Sequence, residues 1–132
     1  MALHNKVGQE GERLALEYLV SKGYAILETN WRMGHFEIDI VAMHGGRLVF
    51  VEVKARTDKD ENPVAMVTRP KMRRIATAAH HYVLSTGLPH EVQFDIIAVS
   101  GKSDEADLPG AKDAGIMLEH IPDAFMSPLR TY

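Results

Sequence analysis

Apolar residues recur at helical spacing early in the chain. Leu14, Ala15, Tyr18 and Leu19 fall on one stripe, and Gly23 stands where a helix cap belongs. This predicts a helix over residues 10–22, followed by a strand from Tyr24 to Trp31. Phe36–Met43 and Arg47–Ala55 are dense in β-branched and apolar residues, and Gly45-Gly46 between them signals a two-residue hairpin turn. Residues 57–68 are polar and contain Pro63, which makes them a loop. Pro70, with Thr68 as cap, opens a second helix to about Ser85, with a stripe of Met72, Ile75, Ala76, Ala79 and Val83. Glu91–Val99 is a clear strand, residues 101–115 form a Gly-, Asp-, Ser- and Pro-rich loop, and Ile116–Ile121 is a short last strand. The order α, three strands, α, two strands predicts a mixed α/β layer fold. No repeat or linker divides the chain, so residues 1–132 are expected to form a single domain with an irregular tail from about 123.

The hairpin turn sets the register. A two-residue turn at Gly45-Gly46 places Asp39 opposite Glu52 and Glu37 opposite Lys54, on the sheet face that also carries Val41, Met43, Leu48 and Phe50. The other face pairs Ile38 with Val53, Ile40 with Val51 and Ala42 with Val49, and being apolar throughout it must be covered. Glu37 and Lys54 suit an ordinary cross-strand ion pair. Asp39 and Glu52 do not, because opposed like charges destabilise a sheet. Two carboxylates meeting in apolar strands call for a proton or a cation between them.

Composition narrows that choice. The chain has 132 residues, 45% hydrophobic and 25% charged, and no cysteine. Disulfides, thiolate-held iron–sulfur clusters and cysteine-ligated zinc are excluded, so a metal held here would be a hard, oxygen-ligated ion such as Mg²⁺ or Mn²⁺. No stretch reaches the apolar length of a membrane span, and the polar N-terminus is unlike a signal peptide, so a cytoplasmic, non-membrane protein is expected. The formal net charge of −3 argues against coating nucleic acid by bulk charge, yet it conceals a gradient. Residues 51–80 hold seven basic against four acidic residues, and residues 101–132 hold three against six. Arg69, Lys71, Arg73 and Arg74 crowd the start of the second helix, against its dipole, which suits either a solvated surface or an anionic partner. Glu12 lies at the edge of the first helix's apolar stripe, either as a boundary glutamate favoured by the dipole or as a third acid aimed at the hairpin. The seven histidines form no ligand spacing and are expected at the surface or in packing, with His35 nearest the hairpin acids.

These residues carry a resemblance. Gly11-Glu12, Ala15, Tyr18-Leu19, Gly23-Tyr24-Ala25-Ile26-Leu27, Asn30 and Arg32 lead to Glu37-Ile38-Asp39-Ile40-Val41-Ala42, then to Phe50-Val51-Glu52-Val53-Lys54 and Arg56. The pattern resembles the YraN-like family of uncharacterised bacterial proteins, itself similar to restriction-endonuclease-like nucleases and archaeal Holliday-junction resolvases. It continues more weakly through Lys71, Phe94-Asp95, His120-Ile121 and Ala124-Phe125. Phe36 stands where that family usually has Gly, and Gln93 where it often has Arg. The resemblance implies an α/β, restriction-endonuclease-like mixed sheet flanked by helices, with a PD-(D/E)xK type site. It assigns catalysis to Glu12, Asp39, Glu52 and Lys54, and Mg²⁺ or Mn²⁺ ligation to Asp39, Glu52 and the Val53 carbonyl. Arg32, Arg56, Lys71 and Arg74 are expected to contact phosphates. The expected activity is metal-dependent cleavage of structured or branched DNA, with a homodimer to cut two strands. The alternative is a non-catalytic nucleic-acid-binding or adaptor protein that retains the fold.

Overall fold

The computed structural model describes residues 2–56, 61–87, 91–100 and 117–126, with side chains from Glu10 onward. The remainder of the expected 57–68 loop, the 101–115 loop, Ile116 and the tail beyond 126 lie outside the described residues. The elements run α1 (Ala2–Ser21), β1 (Ala25–Met33), β2 (Phe36–His44), β3 (Arg47–Arg56), α2 (Arg69–Thr86), β4 (Glu91–Ser100) and β5 (Met117–Ile121). The first helix starts earlier than its apolar stripe, because Gly8 and Gly11 interrupt the periodicity there.

The strands form one mixed sheet in the order β1-β2-β3-β4-β5. Among the described strands only the β3–β4 pair is parallel, and α2 makes the crossover between them. This is the mixed α/β sheet flanked by two helices that was expected, compatible with a restriction-endonuclease-like fold. Local chemistry sets the helix ends. At the end of α1, Gly23 adopts φ 89° and Tyr24 N–H reaches the Leu19 carbonyl at 3.0 Å. At the start of α2, the Lys71 N–H donates to Thr68 Oγ1 at 3.3 Å, with Pro70 in the first turn. The Gly87 N–H closes the other end on the Val83 carbonyl.

Alternation along the strands divides the core in two. Ile40, Ala42, Val49, Val51, Ile97 and Val99 pack with Ala15 and Leu19 of α1. Val41, Leu48, Phe50, Phe94 and Ile96 pack with Ile75, Ala76, Ala78, Ala79 and Tyr82 of α2. The apolar hairpin face is thus covered, as it had to be. Among the described residues no helix is long and apolar enough to cross a membrane.

The hairpin register holds from His44↔Arg47 to Ile40↔Val51, with Gly45 and Gly46 both left-handed at φ 57° and 77°. There it stops, which corrects the expected continuation. Asp39 and Glu52 are not ladder partners, and Glu37 meets Arg32 of β1 at 3.6 Å rather than Lys54. Ile38 turns to the α2 side with Val41, while Val53 stays on the α1 side. At this point the β1–β2 pairing passes over Asn30, a left-handed residue at φ 50°. Beyond Ile40, β2 follows β1 while β3 follows β4 as far as Arg56↔Ser100, so the two central strands fork.

Candidate active site

The fork places Asp39 and Glu52 together. In an antiparallel ladder the N–H and C=O of one residue point to the same neighbouring strand. Val51 is the last β3 residue paired to β2, so Val53 points its main-chain groups into the fork. Its N–H donates to Asp39 Oδ2 at 2.8 Å, so the side chain replaces the strand carbonyl that the ladder has lost. The Val53 carbonyl opens into the same gap.

Glu52 is only 5% exposed and Asp39 is half-buried beside it, close enough for the carboxyls to share a hydrogen bond. Burial, then the charge of Glu52 and that hydrogen bond, push the Asp39 carboxyl up to about 7. The Val53 N–H and the charge of Lys71 oppose the rise. Lys71 Nζ reaches Glu52 Oε2 at 3.5 Å. The pair therefore needs a proton or a cation, and two acid groups with an adjacent main-chain carbonyl fit a hard ion with oxygen ligands. Among the described residues no third carboxylate or imidazole joins them, so water would complete the shell.

The other expected site residues divide. Lys54 is half-buried two residues beyond Glu52 on β3, without an ion pair among the described residues. Glu12 receives a weak hydrogen bond from Asn30 Nδ2 at 3.4 Å. Asn30 lies in register with Asp39, between the pairs Thr29↔Ile40 and Trp31↔Ile38, so the helical acid stands one residue removed from the fork. Arg32 and Arg74 are exposed. Arg56 is not available to a phosphate. Its side chain is 5% exposed and held by Glu119 at 3.0 Å and by the Glu61 carbonyl at 2.9 Å.

A second polar network lies on the α1 side and was missed. Asp95 is fully buried and accepts from Gln93, from the Asp123 N–H at 2.9 Å, and at Oδ2 from His120 Nε2 at 2.7 Å. The other His120 nitrogen meets the Tyr18 hydroxyl at 3.0 Å. The signal was present in Phe94-Asp95 and His120-Ile121, but nothing local joins residues so distant in sequence. His120, half-buried, links the Asp95 carboxylate to the Tyr18 hydroxyl.

Residues 11–99 match the uncharacterised protein family UPF0102. A UPF0102 protein of Bacteroides fragilis is 43% identical over 130 residues, covering 98% of this chain and 99% of its own length. One from Parabacteroides distasonis is 40% identical over 131 residues, at 98% and 100% coverage. One from Chlorobium chlorochromatii is 41% identical over 121 residues, at 91% of each chain. With a match across most of the chain and relatives of nearly the same extent, the protein belongs to the uncharacterised bacterial family UPF0102, the YraN-like proteins.

Proposed function

We propose that this chain is a metal-dependent endonuclease acting on structured or branched DNA. One observation carries the proposal: the half-buried Asp39 carboxyl and the buried Glu52 carboxyl meet at the β2–β3 fork, where a bare pair of like charges is unfavourable. The branched-DNA component rests on the resemblance of residues 11–56 to resolvase-like nucleases. Asp39, Glu52 and the Val53 carbonyl would hold Mg²⁺ or Mn²⁺. A bound divalent cation supplies Lewis-acid polarisation of the phosphodiester and lowers the pKa of bound water. Lys54, two residues from Glu52 on the same strand, steadies negative charge as it grows on the phosphoryl oxygens. Glu12 supports the site through Asn30 or through water. Arg32 and Arg74 position the backbone without reading sequence. Cutting both strands would take two copies of the chain.

The test is cleavage of duplex, flap and four-way-junction DNA with Mg²⁺ or Mn²⁺, beside Glu52→Ala. Metal-dependent cleavage that falls at least about a hundredfold in the variant is expected, since the substitution removes a metal-holding group. Cleavage at the wild-type rate in Glu52→Ala would sink the assignment. A second reading, a nucleic-acid-binding or adaptor protein without catalysis, is favoured by the lack of a third ligating side chain among the described residues. Binding without cleavage under every metal would select it.

A further inference from the structure

The site contains two lysines, and the sequence motif singles out Lys54. The ion pair belongs to the other: Lys71 Nζ lies 3.5 Å from Glu52 Oε2. The Lys71 backbone is fixed by the Thr68 cap and by Pro70. Its side chain is 35% exposed and ends a flexible stem, so the ammonium can swing without moving α2. Glu52, with a side chain only 6% exposed on a strand paired to β4, cannot follow it. The first turn of α2 contains no acid, and Arg69, Arg73 and Arg74 beside Lys71 are exposed. Among the described residues Lys71 thus faces anionic groups inside the site, Glu52 at 3.5 Å and Asp39 beside it, and has basic neighbours outside it.

We infer that Lys71 is the counter-ion of Glu52 before metal binds, and that a divalent cation displaces it onto a phosphate of the nucleic acid. This rests on the metal reading proposed above and adds a coupling to it. A cation between Asp39 and Glu52 claims the carboxylate that Lys71 neutralises, and it sets like charges a few ångströms apart. Metal and ammonium therefore compete. A phosphate at the start of α2 gives the released ammonium a new partner. Metal and nucleic acid then favour each other's binding by the same factor in both directions. A lysine that served only as a backbone contact would not compete with the metal.

The test is calorimetric titration of the metal-free full chain with MnCl₂, for wild type, Lys71→Gln, Lys71→Ala and Lys71→Arg. Both neutral variants should bind Mn²⁺ about tenfold tighter than wild type, and the arginine variant within about twofold of it. Anisotropy of a labelled DNA duplex, with and without Ca²⁺, should show metal-enhanced binding in wild type and little enhancement in Lys71→Gln. Wild-type Mn²⁺ binding with unchanged or weaker affinity in both neutral variants overturns the inference alone. If no protein in the series binds Mn²⁺, and Glu52→Gln titrates like wild type, the metal reading fails and carries the inference with it.

Discussion

Asp39 carries the sharpest consequence at the residue scale. Its carboxyl ionises near 4 in an unfolded chain and at about 7 in the fold, so between those values the native state holds a proton that the unfolded state has lost. Stability of the metal-free protein therefore falls as pH rises from about 4 through about 7. Asp39→Asn mimics the protonated group. It should flatten that slope and melt above wild type at pH 8 without metal. Urea melts at pH 5 and pH 8 check this, and parallel slopes for the two proteins would refute it. On the proposed metal reading, MnCl₂ at pH 8 should recover the loss in wild type only, because the cation would replace the proton. That Asp39 and Glu52 would meet was legible from the Gly45-Gly46 turn. How they meet was not. Asp39 reaches the Val53 N–H because the ladder ends one residue earlier, and the left-handed Asn30 that accompanies the break leaves no mark in the hydrophobic pattern.

At the scale of elements, periodicity was a reliable guide wherever one face is buried. The stripes of α1 and α2, the caps at Gly23 and Thr68, and the hairpin register from His44 to Ile40 all follow from local chemistry. The attachment of β5 does not. This five-residue edge strand is tied down by His120, which spans from buried Asp95 on β4 to Tyr18 on α1. Such a link is set by the sheet order and by helix placement, and neither can be read from 102 residues away. Removing His120 leaves the Asp95 carboxylate short of one donor in a fully buried position. His120→Ala should cost about 2–3 kcal/mol, whereas Tyr18→Phe should cost about 1 kcal/mol or less, because the ring edge and the Asp95 contact remain. Urea unfolding at neutral pH measures both. A His120→Ala loss no larger than that of Tyr18→Phe would mean the carboxylate finds other partners.

At the scale of the whole molecule the question is which charges face a ligand. The sequence shows a basic middle in an acidic chain, and counting cannot separate a phosphate contact from a buried tie. The fold sorts the residues by depth: Arg56 is locked under Glu119, Lys71 turns inward to Glu52, and Arg69, Arg73 and Arg74 remain exposed near the start of α2. Two arginines that looked alike should then behave oppositely. On the proposed function, Arg74→Ala should weaken duplex binding at low salt and lower the slope of log K against log salt by about 0.9, as the loss of one phosphate contact would, with the melting temperature nearly unchanged. Arg56→Ala should leave the salt slope as it is and destabilise the fold by about 2–3 kcal/mol, since it removes the partner of Glu119 and a donor to the Glu61 carbonyl. Binding isotherms from 50 to 200 mM salt, read beside thermal melts, separate the two effects. A reduced slope in Arg56→Ala with an intact melt would return Arg56 to the DNA-facing surface. An unchanged slope in Arg74→Ala would remove the start of α2 from the path of the backbone.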